Sequence, residues 1–334
     1  MAANYFPVQS SILSSKALLS EVNARYGIKA LQCRLWSIGL NDIYLILEED
    51  CKYFLRVSHK VRFLKKDYEE ELKVILQLKA NGINTCIPVR QRDDTYIWEI
   101  TAPEGIRVAI LFKEVKNDST VSTYNMGKLA ASIHKVSDKL NFQISRQSIS
   151  LQQLIKKPLK SISETNALKE VDMKFLEDSS KQMWNDLTSI IPKEVPYYGF
   201  CHGDIHSGNV YFKNSVPQIF DFDCMGEGYR IYDLCVYLWD EALVKADLMN
   251  SEDWKDYLKG YQEVRKLSKP EILSIPAFAA LRQLWFIGLI LDATNINNSW
   301  EGIGDTFFIE QMKRFKFWYH RWEIDRYENN DTTI

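Results

Sequence analysis

The chain has 334 residues, 46% of them hydrophobic, enough for two domains or one bilobal unit with a real core. A net charge of −2 and a pI of about 6.3 leave no basic footprint for nucleic acid. The six cysteines form no C-x-x-C pair, and the first 20 residues lack the basic and apolar regions of a secretion signal, so a reduced, cytoplasmic protein is expected.

In chain order, a helix is predicted over Ser15–Tyr26, stopped by Gly27. The stretch from Leu35 leads through a loop holding Gly39 into a strand from Ile43 to Glu48. A polar turn then gives a returning strand, Tyr53–Val57. Asp67–Ala80 reads as a helix ended by Asn81-Gly82. Short strands follow at 84–90, 96–100 and 108–112, and the polar run Lys113–Asp118 marks a domain boundary. Beyond it the pattern is helical: Ser122–Asp138, then segments near 151–157, 164–178 and 180–190, then Leu234–Ala246, Glu252–Lys266, Glu271–Asp292 and Thr306–Arg326. The tail from 327 is polar and reads as frayed. The expected organisation is thus an α+β chain with a small β-rich lobe (1–113), a hinge (114–118) and a larger helical lobe (119–334). Ligand sites favour such domain junctions. Ile272–Leu291 is apolar enough to suggest a membrane span, but it carries Arg282, and an arginine near the centre of a span costs about 2.5–3.5 kcal/mol. It reads as a buried core helix, and no membrane partner is expected.

The chemistry concentrates in Cys201-His202-Gly203-Asp204-Ile205-His206-Ser207-Gly208-Asn209-Val210 and in Gln218-Ile219-Phe220-Asp221-Phe222-Asp223. Glycines break the first part into a loop. Val210–Phe212 and Gln218–Phe222 read as strands joined by a turn at Asn214-Ser215. Asp204, Asn209 and Asp221 are thereby brought near one another. One carboxylate to orient a hydroxyl, and an amide and a second carboxylate as hard oxygen ligands for Mg2+, suit phosphoryl transfer from ATP to an alcohol. His202 and His206 have the spacing of a zinc pair, but the helix is broken and no glutamate follows His202, so that reading fails. No G-x-S-x-G elbow surrounds Ser207.

The pattern His202-x-Asp204-x-x-x-x-Asn209, with Asp221 12 residues on, resembles the catalytic loop and metal aspartate of the aminoglycoside phosphotransferase/choline kinase family, the small-molecule branch of the protein-kinase-like fold. Tyr232-Asp233-Leu234, the helix segment Gly127-x-x-x-Ala131-x-x-His134, the loop strand Ile38-Gly39-x-Asn41-x-x-Tyr44 and the helix around Glu71 extend the resemblance over residues 30 to 240. It implies a bilobal kinase-like fold with ATP and Mg2+ as cofactors. Asp204 is implied as the base, and Asn209 and Asp221 as metal ligands. Glu71 pairs with a cation on the returning strand. Gly39 and Asn41 lie in the phosphate loop, and the backbone of Lys113, Glu114 and Val115 meets adenine. Asp233 ties the catalytic loop to the following helix, with His202 and His206 in support.

The chain departs from the family in two places. Arg56 stands where the pattern shows lysine, and arginine grips phosphate with a different geometry. Asp223, two residues beyond Asp221, shares its strand face by period two and can take part in holding the metal, with Asp221 favoured. Glu71 also lies in a Glu69-Glu70-Glu71 run, which on a helix is usually a solvated face. Trp239, Asp240, Glu241, Trp285, Asp292, Trp300, Glu301 and Asp305 fall where the family builds its acceptor pocket; as a pocket they suit a polyol or amino sugar, and as aromatics at helical spacing they suit a core. The leading reading is a kinase of a small-molecule hydroxyl, with no nucleic-acid partner. The alternatives are a stress-response-type protein Ser/Thr kinase, which shares the loop chemistry, and a non-catalytic nucleotide-binding protein, for which Arg56 is the sole support.

Overall fold

The computed structural model describes all residues except 1–5, 61, 141, 143, 147, 243–247, 298 and 331–334. The chain forms two compact units: Met1–Leu76 with Thr85–Lys116 and Ala293–Ser299, and Gln77–Asn84 with Asn117–Asp292 and Trp300–Ile334.

The first unit is an antiparallel sheet with a helix on each face. Helix α1 (Ser15–Tyr26) starts where the Ser14 hydroxyl accepts from the Ala17 N–H, and ends at Gly27 in the left-handed region. Strands β1 (Gln32–Ile38), β2 (Asn41–Leu47) and β3 (Lys52–Ser58) follow, then helix α2 (Lys65–Ala80), β4 (Ile87–Pro88), β5 (Trp98–Ala102) and β6 (Gly105–Lys113). The strand order is β1-β2-β3-β6-β4, and β5 also pairs with β6. Alternation assigns the faces. Tyr44, Ile46, Leu55, Val57, Ala109 and Leu111 pack on Leu18 and Val22 of α1. Val108 and Ile110, on the opposite side of β6, pack on Tyr68 and Leu72 of α2. Arg56, between Leu55 and Val57, therefore points to the α2 side. The strand expected over 84–90 shrinks to the two residues of β4.

In the second unit, helix α3 (Thr123–Leu140) precedes a π-helical turn at Gln152–Lys156, α4 (Lys157–Thr165) and α5 (Glu170–Ile190). Where two helices were expected over 164–190, α5 is one continuous helix, with Leu176, Ser180, Met183 and Leu187 buried along a single stripe. Strand β7 (Tyr198–Cys201) pairs with β10 (Gly226–Tyr229), and the hairpin β8 (Val210–Lys213)–β9 (Val216–Ile219) turns through Asn214 and Ser215, both at positive φ. Helices α6 (Ile231–Glu241), α7 (Glu252–Val264), α8 (Lys269–Asn297) and α9 (Asp305–Asn330) complete the unit, apart from the end of α8, which belongs to the first. The end of the helix expected over Leu234–Ala246 lies outside the described residues, as does the tail beyond 330.

Helices α3 and α7 meet at glycines. A Cβ on Gly127 would lie 2.0 Å from the Tyr257 carbonyl oxygen, and one on Gly260 would lie 1.9 Å from that of Tyr124. Helix α8 is long and apolar enough to cross a membrane by length and composition, but 72% of its apolar window is buried in the protein. Arg282 and Gln283, near its middle, are both buried and hydrogen-bonded.

Candidate active site

The loop between β7 and β8 carries Asp204, and its backbone is fixed from beneath. Asp233, in the first turn of α6, accepts the N–H groups of His202 and Gly203 at 2.9 and 2.7 Å. It is completely buried and also meets His134 Nε2 at 2.9 Å. His134 continues through Nδ1 to the Tyr261 hydroxyl at 2.8 Å, and Tyr261 accepts from Arg265, which pairs with Glu271. Burial lowers the His134 pKa despite Asp233, so the ring is neutral. His202 is also buried, with its pKa lowered by burial; its Nε2 lies 3.2 Å from the Phe220 carbonyl and ties the loop to the end of the hairpin. Gly203 is obligatory here. Its φ is +80°, and a Cβ would fall 2.2 Å from the Cys224 carbonyl oxygen.

Asp204 emerges from this loop with its side chain 17% exposed. Its Oδ1 accepts from Arg282 Nη2. Its Oδ2 accepts from Asn209 Nδ2 at 2.8 Å and faces His206 Nε2 at 3.4 Å. Burial alone would raise the Asp204 pKa, but Arg282 and then His206 hold it far below the usual carboxylate range. His206 stands between two carboxylates, 3.4 Å from Asp204 and 3.4 Å from Asp240. Burial opposes its charge, yet the two carboxylates carry its pKa up to about 9. Two N–H groups also approach the ring, Gly208 at Nδ1 (3.2 Å) and Asn209 Nδ2 at Nε2 (3.0 Å), contacts that suit an unprotonated nitrogen; with carboxylates on both sides, the raised direction prevails.

Asn209 is anchored by its backbone. Its N–H donates to the His206 carbonyl, and its own carbonyl accepts from the Phe220 N–H at 3.1 Å, next to Asp221. Its Nδ2 is directed at the Asp204 carbonyl and carboxylate, which leaves the amide oxygen as its donor to a cation. Asp221 is exposed and in the left-handed region at φ 62°. The strand expected to reach Phe222 stops at Ile219, and Phe222–Cys224 form a 3-10 turn. The shared strand face expected for Asp221 and Asp223 is therefore not formed. Asp223 is instead buried, with Arg146 Nη2 at 3.0 Å from its carboxylate. An amide oxygen and an exposed carboxylate are hard donors and fit a Mg2+-type ion that keeps water and phosphate ligands.

In the first unit, Arg56 and Glu71 make a two-pronged pair, Nη1–Oε1 2.8 Å and Nη2–Oε2 2.9 Å. Glu71 is completely buried and Arg56 is 7% exposed. The Phe112 ring lies 5.2 Å from the guanidinium carbon and the Tyr68 ring 5.8 Å. Gly39 occupies the short β1–β2 loop, where its carbonyl meets His59 Nε2 at 3.1 Å, and Asn41 opens β2. Lys113 ends β6. The Glu114 N–H donates to the Lys52 carbonyl at 3.0 Å, its carboxylate meets Lys52 Nζ at 3.3 Å, and Val115 follows.

Sequence reasoning missed Arg282 and Arg146 as partners of site carboxylates. Arg282 is buried between the rings of Trp239 and Trp285, at 5.1 and 4.1 Å. An arginine inside an apolar helical stretch was the available signal, since a buried charge requires a partner. Of the acceptor-pocket candidates, Trp239, Asp240 and Trp285 gather around Asp204 through Arg282 and His206. Asp292 is bound to Lys157 and Ser161, and Trp300 is exposed.

The second unit thus carries a loop aspartate, a neighbouring asparagine and a second aspartate after a hairpin, and the first carries a buried arginine–glutamate pair. Residues 34–267 match the phosphotransferase enzyme family, and the chain belongs to it. It is a kinase that acts on hydroxyl groups. An uncharacterized protein of Synechocystis is 30% identical over 294 residues, covering 85% of this chain and 80% of its own length. Among solved structures, a microcompartment-associated aminopropanol kinase is similar at a TM-score of 0.75, with 18% identity, covering 95% of this chain and 98% of that one. The amicoumacin kinase hAmiN, in complex with AMP-PNP, Ca2+ and Ami, is similar at 0.72, with 17% identity, covering 92% and 94%. These likenesses agree with a small antiparallel sheet followed by a mainly helical part.

Proposed function

We propose that this protein transfers the γ-phosphate of ATP, with Mg2+, to a hydroxyl of a small amine-bearing alcohol. The observation that carries this reading is the Asp204 carboxylate, held charged on a braced loop with its side chain partly exposed. Asp204 orients the acceptor hydroxyl. The hydroxyl oxygen bonds to the γ-phosphorus as the bond to the β,γ-bridging oxygen breaks; ADP leaves, and the hydroxyl proton passes to Asp204 and then to water. A carboxylate with so low a pKa is a weak base, but in a loose transition state the proton leaves late, so orientation matters more than basicity.

The Asn209 amide oxygen and Asp221 would hold the metal, with Asp223 one layer behind on Arg146. An ion held there would supply positive charge to offset that of the phosphates. Arg56, fixed by Glu71, takes the place of the usual lysine toward the phosphates. Gly39 and Asn41 shape the phosphate loop, and the backbone at Lys113–Val115 meets adenine. Support for an amine on the acceptor comes from Asp240, a partly exposed carboxylate beside His206 and near Asp204, and from the likeness to an aminopropanol kinase.

The test is incubation with γ-labelled ATP and Mg2+ against amino alcohols, amino sugars, aminoglycosides and amicoumacin-type amides, with casein and lysate proteins alongside. The expected result is a labelled phosphomonoester of one small molecule, formed in step with ADP. Label appearing only in protein would favour the protein-kinase reading and contradict this one.

A further inference from the structure

Gly203 is held at both its N–H and its carbonyl. Asp233 takes its N–H at 2.7 Å, and Arg282 Nη1 donates to its carbonyl at 3.1 Å while Nη2 reaches Asp204 Oδ1. Nη1 also lies 3.3 Å from the Tyr232 hydroxyl, on the residue before Asp233. The guanidinium is confined by Trp239 and Trp285, and Trp239 is itself fixed, its indole N–H donating to Gln283 at 2.9 Å, with Gln283 donating to Gln311 at 2.8 Å. Packing, aromatic stacking and two directed N–H groups thus aim one cation at one carboxylate oxygen. Arg282 has a 5% exposed side chain and is matched to the partly open carboxylate of Asp204 at 17%.

We infer that Arg282 is the positioning residue for Asp204: it fixes the carboxylate in one rotamer, so that the edge carrying Oδ2 is presented to the acceptor hydroxyl. This rests on the reading of Asp204 as the group that orients that hydroxyl. Asn209 and His206 both meet Oδ2 and make no contact with Oδ1. With Arg282 on Oδ1, both oxygens are assigned, and the acceptor meets a preorganised carboxylate. Misplacement of a reacting group by about 1 Å can lower a rate by about a hundredfold.

The test uses the whole enzyme with the acceptor found in the labelling panel. Arg282→Met keeps the side-chain bulk between the two tryptophans. It should lower kcat by about a hundredfold while the KM for ATP stays within about threefold. Arg282→Lys should recover about tenfold of that loss, and added guanidinium should raise the rate of Arg282→Ala. If Arg282 acts through Asp204, Arg282→Met in an Asp204→Asn background should be no slower than Asp204→Asn alone, within about threefold. A purely structural role would instead multiply the two losses. Should Arg282→Met unfold at the assay temperature, Arg282→Lys and the guanidinium experiment decide the same question. Multiplied losses, or Arg282→Met within threefold of wild type, would overturn the inference and leave Asp204 as the base. Asp204→Asn within tenfold of wild type would overturn the underlying reading itself.

Discussion

At the scale of single residues, the site divides into groups legible from spacing and groups that only the fold brings in. Asp204 and Asn209 are five positions apart on one loop, so their 2.8 Å contact is a local consequence of sequence. Arg282 lies 78 positions from Asp204, and nothing in its own segment names its partner. Glu71 is intermediate. Its run of three glutamates suggests a solvated face, but it follows Tyr68 by three positions and precedes Ile75 by four, which places it on the apolar stripe of α2. That position, with the alternation that turns Arg56 toward α2, explains the pair. Because both charges are buried, removing one strands the other. Glu71→Ala should lower unfolding free energy by about 3–5 kcal/mol, measured by urea denaturation. Replacing both residues with methionines should recover much of that stability while leaving nucleotide affinity poor. Equal losses in single and double variants would contradict this account of the pair.

Among the elements, the brace beneath the Asp204 loop depends on α3 lying close enough to α6 and α7 for His134 to meet Asp233 on the one and Tyr261 on the other. Gly127 permits that approach. Gly127→Ala places a methyl group where the Tyr257 carbonyl oxygen lies, and relief requires the helices to part. The expected result is a loss of about 1–3 kcal/mol or more, seen as a lower melting temperature, together with a fall in kcat as the loop loses its support. The helices and the N-terminal hairpin strands were readable because periodicity and turn residues mark them. Strands β7 and β10 were not: each has four residues, and their pairing is between segments that tertiary folding brings together. The turn at Asp221 was hidden for a related reason. Asp221-Phe222-Asp223 alternates like a strand, yet Asp221 adopts a left-handed conformation that ends the alternation, so Asp223 turns inward to Arg146.

For the whole molecule, buried histidines tie folding to pH, His134 among them. Unfolded, His134 titrates near 6.5; folded, burial lowers its pKa. Between those values the unfolded chain holds more protons, so the stability linked to this group is complete above about pH 6.5 and is lost as pH falls from there through the lower folded-state pKa. The urea midpoint should therefore drop between pH 7 and pH 5, and His134→Gln should flatten that slope; an unchanged slope would contradict the assignment. Removal of divalent cations should abolish turnover, with Mg2+ restoring it, and Asp221→Asn should raise the Mg2+ concentration needed; an unaltered requirement would exclude Asp221 as a ligand. The most direct test of the whole account is single-turnover transfer to the identified acceptor by Asp204→Asn, measured beside nucleotide binding. The account predicts a rate lower by about a thousandfold with ATP affinity within about threefold of wild type, and a rate within tenfold of wild type would contradict it.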